Sequence, residues 1–155
     1  MIQIIFGETG TGKTKKILEL ANNAAREAKG SVVFIDDDDS YMFDLNLAAR
    51  FINAREYGIT GPKTFFGFFC GISASDHDLE YVFVDGFLKL IRHDLSTLEE
   101  LFDKLRSFTD SHGITLVLAV SGAVDTLPEF LSNVTITSVK VITTPAQDAT
   151  AKSAS

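Results

Sequence analysis

The chain has 155 residues, 45% of them hydrophobic and 23% charged, a balance that excludes intrinsic disorder and suits one compact domain. The net charge of −7 disfavours a surface for nucleic acid or anionic membrane. A single cysteine, Cys70, excludes an internal disulfide and a cysteine metal cluster. The apolar runs are short and broken by charges, so no membrane-spanning helix is expected. The start Met1-Ile2-Gln3 lacks the basic segment of a signal peptide. The expectation is a cytoplasmic domain over residues 1–143, with a small, polar, flexible tail at 144–155.

Strands and helices alternate along the chain. Ile2 to Phe6 is an apolar run that leads into glycine, as a buried parallel strand does. Lys13 to Lys29 has helical spacing, with Ile17, Leu20, Ala21, Ala24 and Ala28 on one face and Gly30 closing it. Ser31 to Asp36 reads as a second strand. The stretch from Asp37 to Glu80 is the least determined. Asp44 to Ala49 fits one or two helical turns, Arg50 to Ala54 a short extra strand, and Thr64 to Ile72 either a buried helix or an exposed apolar lid. Tyr81 to Asp85 is a third strand. Ser96 to His112 is the clearest helix: Ser96 and Glu99 have the spacing of a capping box, Leu98, Leu101, Phe102, Leu105 and Phe108 form the apolar stripe, and Gly113 stops it. Ile114 to Val120 is a fourth strand, Thr126 to Leu131 a short helix, and Val134 to Ile142 a fifth strand. This alternation predicts an α/β fold with three layers, a parallel sheet with helices on both faces. Ligands of such sheets bind beyond the carboxyl ends of the strands, so functional residues are expected just after Phe6, Ile35, Val84 and Val120.

The strongest signal lies at the first of those positions. Gly7-Glu8-Thr9-Gly10-Thr11-Gly12-Lys13-Thr14 matches G-x-x-x-x-G-K-[ST] at every fixed position. Glycines let such a loop curl so that backbone N–H groups point at phosphate oxygens. Lys13 can then reach the outer phosphates as a point charge, the Thr14 hydroxyl can ligate Mg²⁺, and the following helix adds the positive end of its dipole. The dinucleotide pattern G-x-G-x-x-G fails, because Lys15 stands where its third glycine belongs. Asp85 ends the apolar run Tyr81-Val82-Phe83-Val84, where a carboxylate can hold Mg²⁺ or its water opposite Thr14.

The remaining candidates are less specific. Asp36-Asp37-Asp38-Asp39 reads either as a solvated acidic loop or as the source of a carboxylate that orients an attacking water, with Asp38 the chosen candidate. A calcium loop fails, because Tyr41 and Leu47 stand where the glycine and closing glutamate belong. Ser121, after the fourth strand, is either a turn residue or a sensor of the terminal phosphate. It has no G-x-S-x-G surroundings, which argues against a serine hydrolase. His77, His93 and His112 make no ligand spacing. Phe65, Phe66, Phe68 and Phe69 around Cys70 read as core or, if exposed, as a patch for a protein partner or self-association. Arg50, Arg55 and Arg92 read as surface charges, with a phosphoryl-transfer role as the alternative.

Together GETGTGKT (7–14), VVFIDDDD (32–39), YVFVDGF (81–87) and GITLVLAVSG (113–122) resemble the RecA/DnaB/KaiC group of P-loop ATPases over roughly the first four-fifths of the chain. The resemblance implies a RecA-like sheet with the five strands in order 5-1-4-3-2, ATP and Mg²⁺ as ligands, and Asp38 at the position of the general base, where the group has glutamate. Gly86 stands where many motor-type members have a catalytic glutamate. No DNA-binding loop, arginine finger or helicase extension is evident. The chain also resembles small bacterial ATP-binding proteins of uncharacterised role. The expected function is Mg²⁺-dependent ATP binding by Gly7–Thr14 and Ser121, with slow or partner-activated hydrolysis. The alternatives are a P-loop small-molecule kinase, for which Lys89, Arg92 and residues 58–72 are the only lid candidates, and a non-hydrolysing nucleotide switch that docks a protein.

Overall fold

The computed structural model describes residues 1–140. Among the described residues, six strands form one sheet: β1 (Ile2–Gly7), β2 (Ser31–Asp36), β3 (Ala49–Asn53), β4 (Leu79–Val84), β5 (Thr115–Ser121) and β6 (Thr135–Ser138). Every pairing is parallel. Four helices cover it: α1 (Lys13–Glu27), α2 (Pro62–Ser75), α3 (Phe87–Ile91) and α4 (Glu99–His112).

The central strands are apolar on both sides, as parallel strands between two helical layers must be. On one face, Ile5, Phe34, Phe83 and Val117 pack against Ile17, Leu18 and Ala21 of α1. On the other, Ile4, Phe6, Val33, Val84 and Leu118 pack against Phe65 and Phe69 of α2, Phe87 of α3, and Leu101, Phe102 and Leu105 of α4. Phe87 meets Phe65 and Phe102 edge-on, with centroids 5.5 and 6.0 Å apart. Thr64 to Ile72 is therefore helix and core rather than lid. Phe65 and Phe69 are fully buried, and Phe66 and Phe68 are half-buried.

The strand order is β3-β2-β4-β5-β1-β6, which differs from the expected five-strand order. The difference is β3, the short extra strand anticipated at Arg50 to Ala54 but left out of that order, which extends the sheet beyond β2. The strands read from the sequence follow one another as β6-β1-β5-β4-β2. The alternation within β3 explains its edge place: Phe51 stacks on Phe34 at 6.2 Å on the α1 face, Ile52 is buried on the other, and Arg50 stays exposed.

Several boundaries also differ. The helix predicted to Lys29 ends at Glu27, with Ala28 extended. Gly30 serves packing instead of capping, because a Cβ there would lie 2.1 Å from the Asp78 carbonyl oxygen. The capping box of α4 does not form. Ser96 lies inside a separate 3-10 turn, Leu95–Thr97, and Leu98 takes the cap position without a side-chain bond. Residues 44–49 form no helix beyond the 3-10 turn Met42–Asp44, and 126–131 hold 3-10 turns at Val124–Thr126 and Glu129–Leu131. The fifth strand is shorter than expected, and its predicted end and the tail lie outside the described residues. No helix among the described residues is long and apolar enough to cross a membrane.

Candidate functional site

The carboxyl ends of β1, β2, β4 and β5 open on a cleft of about 880 Å³. Its lining includes Thr9, Gly10, Gly12, Lys13 and Thr14 from the glycine-rich loop, Asp36, Asp37 and Asp38 after β2, Asp85 and Lys89 after β4, and Ser121 at the end of β5. Gly7 and Glu8 help shape the loop without lining the cleft.

The loop's geometry follows from its glycines. Gly10 and Gly12 have φ of 82° and 96°, a region costly for other residues, and Gly12 is the N-cap of α1. Gly7 is required for a different reason: a Cβ there would sit 2.4 Å from the Val139 carbonyl oxygen and 2.8 Å from Thr11 Oγ1. The Glu8 carbonyl accepts bonds from Thr11 Oγ1 at 2.7 Å and Lys13 Nζ at 2.8 Å, which holds the lysine across the loop. Partial burial and nearby Lys89 push the Lys13 ammonium below its ordinary pKa, while Asp85 opposes them. β1 and β5 run in register with Gly7 opposite Ser121, and the Gly122 amide donates to the Gly7 carbonyl at 3.0 Å, so Ser121 stands beside the start of the loop.

At the foot of the loop, Thr14 Oγ1 donates to Asp85 Oδ2 at 2.9 Å, joining residues 71 positions apart. Asp85 is only 7% exposed, and burial pushes its carboxyl pKa up. The Asp85 amide donates to the Ile35 carbonyl at 2.9 Å, which sets it next to Asp36. Asp36 is 4% exposed, and its pKa is pushed up to about 8 by burial, by a side-chain hydrogen bond to Asp37, and by the Asp85 charge. Its carboxyl is thus shifted toward the protonated form. The oxygens of Asp36, Asp37 and Asp38 lie within 4.8 Å of one another.

Asp38 differs from Asp36. Its Oδ1 accepts the Ser40 amide at 2.9 Å in a local turn, and that bond holds its pKa below the usual carboxylate value. Of the arginines, Arg55 approaches Asp37 at 4.0 Å and is mostly exposed. Arg92 caps α3 in the left-handed region with φ of 60°. The sequence singles out Asp38 from the acidic run, whereas the deepest carboxylate is Asp36. The available signal was its place as the last residue of a strand pairing with the strand that leads to Asp85. Lys89, a second lysine in the cleft, is brought there by α3, an element the periodicity did not reveal.

No protein-family model matches the sequence, and no curated protein matches it. Among solved structures, domain III of the replication initiation protein DnaA from Thermotoga maritima aligns with a TM-score of 0.48 at 16% identity, covering 90% of this chain and 54% of that one. The chain thus spans about half the length of that structure.

Proposed function

We propose that the chain is a P-loop nucleotide-binding domain that takes ATP with Mg²⁺ in this cleft and hydrolyses it slowly. The observation that carries the reading is the 2.9 Å bond from Thr14 to Asp85 directly under a loop whose left-handed glycines lead into a helix N-terminus. A hydroxyl and a carboxylate side by side are the oxygen donors that Mg²⁺ takes alongside phosphate. Two buried carboxyl groups set side by side, Asp36 and Asp85, fit a cation site. When bound, the ion would neutralise charge on the phosphates. Lys13, freed from the Glu8 carbonyl, would pair with the phosphate oxygens, and the amides of residues 9–14 would hold them in place.

Asp38 lines the cleft mouth and remains the candidate for orienting water. Its lowered pKa makes it a weak base, from which slow turnover would follow. A second reading, phosphoryl transfer to a small molecule, is favoured by a separate cavity of about 590 Å³ that meets the cleft at Ser121 and is lined by Arg92, His93, Ser96 and Thr126. Phosphate release from Mg²⁺–ATP separates the two. Slow release by the chain alone supports hydrolysis. ATP consumption only on adding a hydroxyl-bearing metabolite supports transfer. No consumption in either case leaves a binding switch.

A further inference from the structure

Lys89 stands in the cleft with no role yet assigned to it. It shares the lining with Lys13, Thr14, Asp38 and Asp85. The backbone after β4 sets its place. Gly86 turns the chain at φ of 63° and caps α3, whose third residue is Lys89. A Cβ on Gly86 would lie 3.8 Å from Lys89 Cδ and 3.5 Å from Asp37 Oδ1, so the lysine stem runs past Gly86 beside the acidic loop.

The groups around Lys89 leave its charge uncommitted. It makes no ion pair among the described residues. The nearby carboxylates are engaged elsewhere. Asp85 accepts the Thr14 hydroxyl at 2.9 Å, Asp36 the Asp37 amide at 2.7 Å and Asp38 the Ser40 amide at 2.9 Å, while Asp37 faces Arg55 at 4.0 Å. The charge of Lys89 nevertheless reaches the centre of the cleft. Behind burial for Lys13 and Asp85, and behind the Ser40 bond for Asp38, it is a lesser influence that lowers the pKa of all three. No arginine lines this cleft among the described residues. Arg50 and Arg92 border other cavities, and Arg55 leans on Asp37.

We propose that Lys89 is a catalytic residue whose ammonium meets the terminal phosphate of ATP and holds it more strongly as that group transfers. The inference rests on the nucleotide reading of the cleft. In hydrolysis, the oxygen of water bonds to the terminal phosphorus while the bond to the bridging oxygen breaks. ADP leaves with that electron pair, and the proton of the water passes to Asp38. Lys89 keeps its own protons and offsets the negative charge on the oxygens of the moving group. A compact ammonium on a flexible stem can follow that charge. Lys13, tied to the loop, serves the phosphates already present in the bound nucleotide.

The test is calorimetric titration of the chain with Mg²⁺–ADP, alone and with aluminium fluoride, which mimics the phosphoryl group midway in transfer. Wild type is expected to bind ADP more tightly when fluoride is present. Lys89→Met is expected to keep the affinity for ADP and to lose that gain, on the order of 100-fold. Lys15→Met removes the third lysine of the lining and controls for net charge, so the gain is expected to survive it. Phosphate release by Lys89→Met is expected to show a lower kcat at unchanged KM, with a melting temperature matching wild type. A gain that Lys89→Met retains, a gain lost equally in Lys15→Met, or no gain in a wild type that binds ADP would overturn the inference and leave nucleotide binding standing. Wild type that binds no ADP would overturn the nucleotide reading and this inference with it.

Discussion

Gly7–Thr14 and Asp36–Ser40 leave the carboxyl ends of β1 and β2 and line one cleft, yet their chemistry is fixed in different ways. In the first, the positions that matter are set locally. Gly10 and Gly12 are needed for their own backbone angles, and Lys13 binds a carbonyl five residues earlier. In the second, the decisive property is set from afar. Burial at the end of β2, a hydrogen bond with Asp37 and the Asp85 charge, brought near by the β2–β4 pairing, push the pKa of the Asp36 carboxyl up to about 8. A motif can be read where the backbone demands particular residues. A protonation state is read only once the neighbours are known.

Lys13→Ala gives the largest expected effect and tests the local half. It should weaken Mg²⁺–ATP binding on the order of 100-fold by calorimetry, from loss of a charge-assisted bond of about 1.5–3 kcal/mol. The melting temperature should stay close to wild type, because the residue opens the first turn of α1 outside the core. Asp85→Asn tests the join between the two loops. It retains an oxygen for Thr14 but loses the charge, so ATP binding without Mg²⁺ should be unchanged while most of the gain from Mg²⁺ disappears, roughly tenfold by the same titration. Asp38→Asn should lower phosphate release roughly tenfold and leave affinity intact, and equal rates in variant and wild type would remove Asp38 from the reaction.

The smallest effect tests the long-range half. The folded chain holds the Asp36 proton up to about pH 8, whereas an unperturbed aspartate releases it near 3.8. Between those values the folded state binds more protons than the unfolded one, so this contribution to stability is complete at low pH and declines as pH rises through that window. In metal-free buffer the wild-type melting temperature should therefore carry a decline across this window that Asp36→Asn removes, with the variant the higher of the two at the alkaline end. Parallel pH profiles would show that Asp36 is not held protonated.

The same division governs what the rest of the sequence discloses. The central strands are continuous apolar runs and can be read directly, because burial on both faces leaves little choice of residue. β3 is shorter and mixed, with Arg50 exposed at the sheet edge, so its pattern suggests a short extra strand but not its place, which the stacking of Phe51 on Phe34 discloses. Ser96 and Glu99 have capping-box spacing, but the chain bends one turn earlier, and the Thr97 hydroxyl donates to the Asp94 carbonyl at 2.7 Å instead. Thr14, Asp85 and Lys13 are legible as candidates from motif and strand end. The burial of Asp36 and the arrival of Lys89 through α3 both depend on packing between distant segments.

The most direct measurement is an amide-resonance titration of the isotope-labelled chain with a non-hydrolysable ATP analogue and Mg²⁺. The largest shifts are expected at Gly10, Gly12, Lys13 and Thr14, saturating together with that of Asp85. Unmoved resonances across residues 7–14 at saturating nucleotide, or shifts confined to other parts of the chain, would contradict nucleotide binding in this cleft.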